Sequence, residues 1–173
     1  MSCVIGLKYE GKVYLGADGR ATTGDGEIRP IICNKLFENK GYLMGFCGSV
    51  RTGQLLYPHN FTPPKNILDF PKTVRQQFEE NGALLQEPET GDMHGANILI
   101  AKNGKLFEIL VDFQMSEVVS FTAIGSGSYT ALGVLETLKS VKKLKPEDKI
   151  LMALKICRKY VSSVGPPYEV KFL

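Results

Sequence analysis

The sequence predicts an α+β protein built on antiparallel sheets, and three observations carry that prediction. Strand patterns come in pairs joined by the short turns EGK, NKG and KNG, which read as hairpins. Helical patterns fall in two blocks instead of alternating with single strands. The resulting order is strands, helices, strands, helices, strand, and hairpin-joined strands build antiparallel sheets.

Each element has its own signal. SCVIGLKY alternates weakly and is rich in β-branched residues, EGK turns the chain, and VYLGAD reads as the second strand. GRATTGDGEIRP reads as a loop from its Gly, Thr, Asp and Pro content. CNKLFE alternates again, and after NKG the run YLMGFCGS is an apolar strand ending in small residues. VRTGQLLY has room for about two helical turns before HNFTPP stops it, since Pro63 and Pro64 cannot continue a helix. From Asn66 to Glu80, the residues Ile67, Leu68, Phe70, Val74 and Phe78 recur near helical spacing, with Pro71 early and Asn81-Gly82 as the stop. ALLQEPETGDMHG reads as an exposed loop. ANILIA, KNG and KLFEILVD form a third hairpin, and SEVVSFTAI a further strand. After the tight GSGS corner, Tyr129 to Val141 reads as a helix with Leu132, Val134, Leu135 and Leu138 on one side. Pro146-Glu147-Asp148 opens another helix, with proline and acids in its first turn, running to about Ser163. GPP ends it, and YEVKFL is the last strand.

Composition narrows the function classes. The chain has 173 residues, read as one domain spanning 1–173, long enough to bury a core without staples. A net charge of +3 and no basic run interleaved with aromatics argue against nucleic acid, and SVKKLKPEDK is mixed in sign. No apolar run approaches the roughly 20 residues that span a bilayer, and no signal peptide opens the chain, so no membrane is expected and the cytoplasm is. Cys3, Cys33, Cys47 and Cys157 show no C-x-x-C pairing and read as thiols of a reducing compartment. His59 and His94, the two histidines, stand at no ligand spacing from a cysteine, so neither a metal nor a cofactor is expected.

Chemistry concentrates at Ser2, which runs straight into a strand pattern, at Asp18 closing the second strand, at Lys35, at Ser126 in the GSGS corner, and at the GFCGS turn around Gly48. Each has a plain alternative. Ser2 could be the first residue of a strand, Asp18 and Lys35 a structural ion pair, and Ser126 a helix cap. The glycines of GSGS are followed by no Gly-Lys-Ser/Thr, so they are not read as a phosphate loop.

These residues, the stretch from Ser2 through GADGRATTG, the K-L-F segment, the GFCGS turn and AIGSGSYTALGVLE together resemble the proteasome β-subunit and HslV family of N-terminal nucleophile hydrolases. The resemblance covers nearly the whole chain and is weakest over residues 51 to 95, where the chain is shorter and more broken than the family's two central helices. It implies a four-layer αββα sandwich of two antiparallel sheets flanked by helices. It also implies that Ser2, freed by removal of Met1, is the nucleophile, where the family usually has threonine. Its own α-amine, with a pKa of about 8, would be the base. By the same resemblance Lys35 is the cation beside it and Asp18 the partner of Lys35. Ser126 hydrogen-bonds the terminal amine, and the Gly48 N–H stabilises the oxyanion. Phe37, Phe46 and Val50 fall where the family builds its substrate pocket, although apolar residues there also serve as core.

Two departures stand out. YVSSVGPPYEV carries no aspartate where many β-subunits have one, with Ser162 or Ser163 as possible substitutes. Cys3 is next to the nucleophile, but on a strand its side chain points to the opposite face and reads as core. The expectation is a peptidase acting on peptides or unfolded protein, assembled as a homo-oligomeric ring, with an ATPase unfoldase as a partner known from the family. The shortened central helices put the family's usual ring contacts in doubt. Two alternatives stay open: a non-catalytic scaffold subunit, and an amidase acting on small amides.

Overall fold

The computed structural model describes residues 2–23, 25–87 and 91–173. The first hairpin is β1 (Val4–Tyr9) and β2 (Lys12–Asp18), closed by a turn in which Glu10 and Gly11 both have positive φ. Next come β3 (Arg20–Thr22) and β4 (Ile28–Ile32), then β5 (Leu36–Asn39) and β6 (Tyr42–Gly48). Helix α1 (Val50–Gln54) is capped by the Ser49 hydroxyl, which accepts from the Thr52 N–H. A 3₁₀ turn, Ile67–Asp69, leads into α2 (Phe70–Glu80), so the predicted helix is real but its first turn is tighter. The chain continues with β7 (Leu84–Glu87), β8 (Gly91–His94), β9 (Ala96–Lys102), β10 (Lys105–Ile109), β11 (Met115–Val118) and β12 (Phe121–Ile124). Helices α3 (Ser128–Leu138) and α4 (Pro146–Tyr160) precede the last strand, β13 (Tyr168–Phe172).

Two antiparallel sheets form the centre: β12-β1-β2-β13 and β11-β10-β9-β6-β5. Side-chain alternation along each strand then dictates three cores. On β2, Val13, Leu15 and Ala17 join Val4, Leu43, Leu99 and Leu106 between the sheets. Cys3, Ile5 and Leu7 of the β1 segment face the other way, onto Ala131, Leu135, Ile150, Leu154 and Cys157 of α3 and α4. Met44 and Phe46 of β6, with Ile98 and Ile100 of β9, pack under Leu56, Phe70, Val74 and Phe78. The order α3/α4, sheet, sheet, α1/α2 is the αββα sandwich. Gly6 lets the sheets approach, because a Cβ there would lie 2.8 Å from the Leu106 side chain in the facing sheet.

Three expectations are corrected. GRATTGDGEIRP is not all loop: β3 pairs with β4, with a register irregularity between Arg20 and Ala21. ALLQEPETGDMHG is largely a hairpin, with Leu84 opposite His94 and Glu87 opposite Gly91; its residues 88–90 lie outside the described residues. In both, ladder bonds override a turn-rich composition. SEVVSFTAI is two strands, for β11 pairs with β10 in one sheet and β12 with β1 in the other, the chain crossing at Val119-Ser120.

Candidate active site

The first hairpin brings the start of the chain beside the end of β2. The Cys3 N–H donates to Asp18 Oδ1 (2.9 Å), and the Asp18 N–H to the Cys3 carbonyl (3.3 Å). Ser2 is thereby held in place and buried, at 5% exposure. Its carbonyl accepts from Ser126 Oγ (3.2 Å) and from the Gly127 N–H (3.3 Å). Gly125 makes this approach possible. It has φ +95°, and a Cβ there would collide with the Ser2 carbonyl.

Lys35 Nζ donates to Asp18 Oδ1 and to the Arg20 carbonyl, each at 2.8 Å. Both side chains of the pair are essentially buried, 4% and 0% exposed. Asp18 Oδ2 accepts from the Gly165 N–H (3.1 Å), so the carboxylate is saturated by one ammonium and two backbone donors. That arrangement satisfies the cost of burying two charges, which an ion pair without further hydrogen bonds does not.

Ser2, Lys35 and Gly48 line one cavity of about 30 Å³, together with Ala21, Cys33 and Phe46. Gly48 is exposed with φ +115°, a backbone shape that suits glycine, and a Cβ there would strike the Gly95 carbonyl. Phe46 and Val50 line the cavity as well. The expectation for Phe37 is corrected: its ring is buried in the helix-side core, edge-on to Tyr57 at 4.9 Å and tilted against Phe46 at 6.4 Å, outside the cavity lining. Phe37 faces the same side of the sheet as Met44, its register partner, and as Phe46, so its place outside the lining reflects position along the sheet and not a change of face.

Ser126 reaches the Ser2 carbonyl oxygen, and its hydroxyl also bonds the Ser163 hydroxyl at 2.7 Å. Ser163 is 2% exposed and extends the serine cluster where the aspartate is missing. The position was visible in YVSSVG, but nothing in the sequence chose Ser163 over Ser162. Arg20 had no sequence signal at all. Its Nη1 donates to the Ser162 carbonyl (2.6 Å), and its backbone N–H to the Gly165 carbonyl (3.3 Å), which ties β3 to the 162–165 segment.

Cys3 is completely buried against α4, and its thiol pKa is pushed well up, first by its hydrogen bond with Cys157 and then by burial. Cys47, between the sheets, is pushed up to about 11 by burial. Neither is a thiolate at neutral pH, so neither has the form a cysteine nucleophile needs. Among the described residues, no group of three or more His, Cys, Asp or Glu could hold a metal ion, and no helix is long and apolar enough to cross a membrane.

Solved structures share this whole arrangement of layers. BPH from Thiobacillus denitrificans superposes with a TM-score of 0.84 at 18% identity, over 99% of this chain and 97% of that one. This is the proteasome-type N-terminal nucleophile hydrolase fold. The same BPH in complex with epoxomicin gives 0.83 at 17% identity, with 99% and 97% of the two chains covered. HslV from the eukaryote Trypanosoma brucei, with the proteasome-type fold too, gives 0.74 at 19% identity, over 99% and 98%. No protein-family model and no curated protein matches the chain. The fold expected from Ser2 to GSGSYTALGVLE is therefore the fold observed.

Proposed function

We propose that the chain is a proteasome-like peptidase, one domain over 1–173, in which removal of Met1 frees Ser2 to act as an N-terminal nucleophile. The observation that carries this reading is Lys35, held by the buried Asp18 carboxylate and lining the same cavity as Ser2 and Gly48. A purely structural ion pair has no reason to share a cavity with the second residue of the chain.

In this reading the freed α-amine of Ser2 takes the hydroxyl proton as Oγ attacks a peptide carbonyl. Lys35 supplies positive potential beside the reacting oxygen, and Asp18 keeps its ammonium in place. The Gly48 N–H receives the oxyanion. Ser126, itself bonded to Ser163, and the Gly127 N–H fix the Ser2 carbonyl and so the backbone that carries the nucleophile. The amine then protonates the leaving nitrogen, and water hydrolyses the ester on Ser2. The roles of Ser2, Asp18, Lys35, Ser126 and Gly48, the homo-oligomeric ring, the cytoplasmic setting and an ATPase unfoldase partner are all parts of this proposal.

One observation favours a second reading. The cavity beside Phe46 holds only about 30 Å³, room for one or two waters or a small side chain. An amidase with a small acyl group fits that volume as well as a peptidase does.

The test is the intact mass of the purified protein before and after an epoxyketone such as epoxomicin, with the adduct mapped by peptide. Loss of Met1 and an adduct on Ser2 are expected. Native-source protein that keeps Met1 and takes no adduct would instead make the chain a non-catalytic scaffold.

A further inference from the structure

Ser2 stands between two spaces. On one side is the small cavity walled by Phe46. On the other is an open cavity of about 280 Å³, whose walls include Ser2, Gly48, Ser126, Asn97 and Val111. Beside it is a wider groove of about 560 Å³ bounded by Met93, Asn97, Leu110, Val111 and Asp112. Asn97 and Val111 line both, so the two adjoin. Nothing in the proposed reaction uses this second space.

We propose that this groove binds the leaving-group half of an extended peptide, taking an apolar residue over Met93 and Leu110 followed by a basic residue at Asp112. The inference rests on the peptidase reading above and adds a substrate class to it. A carbonyl at the Gly48 N–H, attacked by Ser2, has chain on both sides. The narrow Phe46 side admits one small side chain, and the open side has length for several residues at about 3.3 Å each. With the acyl-side residue in the Phe46 cavity, as the proposed function has it, the half lying past Val111 is the one that departs.

The groove wall is fixed before any peptide arrives. His94 is 1% exposed; its ring Nε2 pairs with the Leu110 carbonyl (2.9 Å), and its backbone N–H donates to the Val111 carbonyl (2.8 Å). The Leu110 N–H donates to the Gln114 carbonyl (3.0 Å), and the Phe113 N–H to the Leu110 carbonyl (3.0 Å). A wall built this way costs little ordering on binding. Its lining is chemically divided. Met93 and Leu110 present apolar surface, and the Met93 thioether adapts to varied shapes. Asp112 is exposed at the far end. One of its oxygens accepts from the Gln114 N–H (3.1 Å), and it makes no ion pair among the described residues. The neighbouring Asp92, by contrast, is paired with Arg75.

The test uses the native full-length assembly and quenched peptides with one shared acyl half. Their leaving halves begin Leu-Lys, Leu-Glu or Gly-Gly, and the same acyl half is also joined directly to a coumarin. The Leu-Lys peptide is expected to exceed Leu-Glu in kcat/KM by about fivefold at low salt, and Asp112→Asn to bring that ratio near one. Coumarin release with equal rates for all three peptides overturns the groove assignment and leaves the peptidase reading standing. No turnover of any substrate by protein lacking Met1 overturns both. If Asp112→Asn changes the native mass and leaves the Lys-to-Glu ratio untouched, the groove is a contact between copies, and the proposal fails.

Discussion

Replacing Asp18 with asparagine should be far more damaging than its small change in shape suggests. The carboxylate accepts from Lys35, Cys3 and Gly165, and it is 1% exposed. Asparagine offers one acceptor oxygen where two are used, and turns an NH₂ toward a donor. It also leaves the Lys35 ammonium buried among neutral acceptors, with no counter-charge. Removing one partner of a buried pair costs about 3–5 kcal/mol, and that is the expected loss. Lys35→Met should cost less, about 1–3 kcal/mol, because the carboxylate keeps two backbone N–H donors and only the Arg20 carbonyl goes unpaired. The double variant removes both charges, so it should be more stable than the sum of the singles implies, by about 1–3 kcal/mol. It should not return to wild type, since the Cys3 and Gly165 N–H groups then compete for one oxygen. The four proteins would be unfolded in guanidinium at pH 7.5 and one protomer concentration, because any assembly makes stability concentration-dependent. Far-UV circular dichroism is the suitable signal in a chain without tryptophan. Asp18→Asn within about 0.5 kcal/mol of wild type, or strictly additive singles, would refute the account.

Phe46→Ala should widen the cavity beside Ser2 and shift acyl-side preference from small to large apolar residues, at a stability cost of about 3–5 kcal/mol; a peptide library reads the shift, and an unchanged preference counts against that cavity as the acyl-side pocket. Gly125→Ala should cost about 1–3 kcal/mol and abolish epoxyketone labelling, because its positive φ and its closeness to the Ser2 carbonyl leave no room for a methyl. Burial holds the His94 imidazole pKa below its usual range, against the opposing pull of the Leu110 carbonyl and Asp112. Its folded pKa is depressed, so the stability it contributes is whole above about pH 6.5 and is lost as pH falls through the folded value. Denaturant midpoints at pH 7.5 and 5 should therefore differ more in wild type than in His94→Gln.

Local signals reached most of the architecture. Hairpins with alternating strands, and helices opened by proline and acids, were legible because each is decided by neighbours in sequence. Two hairpins hid in polar, turn-rich stretches, because their strands are held by pairing and not by apolar content. The break in SEVVSFTAI was invisible for another reason: a change of sheet is a choice between partners, not a property of the segment. At the site, Ser2, Asp18, Lys35, Gly48 and Ser126 were read from a resemblance, and the structure brings them around one another. Phe37 packs against Phe46 in the helix-side core, on the same face as the cavity but further along the sheet. Arg20 and Gly165 went unseen because each acts through contacts with residues more than a hundred positions away, and Ser163 could not be told from Ser162.

The long-range bonds around Ser2 also set a schedule. The earliest residues of the chain are held by Ser126 and Gly127, and Asp18 by Gly165. Synthesis runs from the N-terminus, at about 5–20 residues per second. While the chain is still attached to the ribosome, the first hairpin can form, but the segment that locks it has not yet emerged. Ser2 is made before residues 126–165, and the bonds that hold it and Asp18 form only when those residues are present. The cavity beside Ser2 is thus completed only after residues 125–165 have been made.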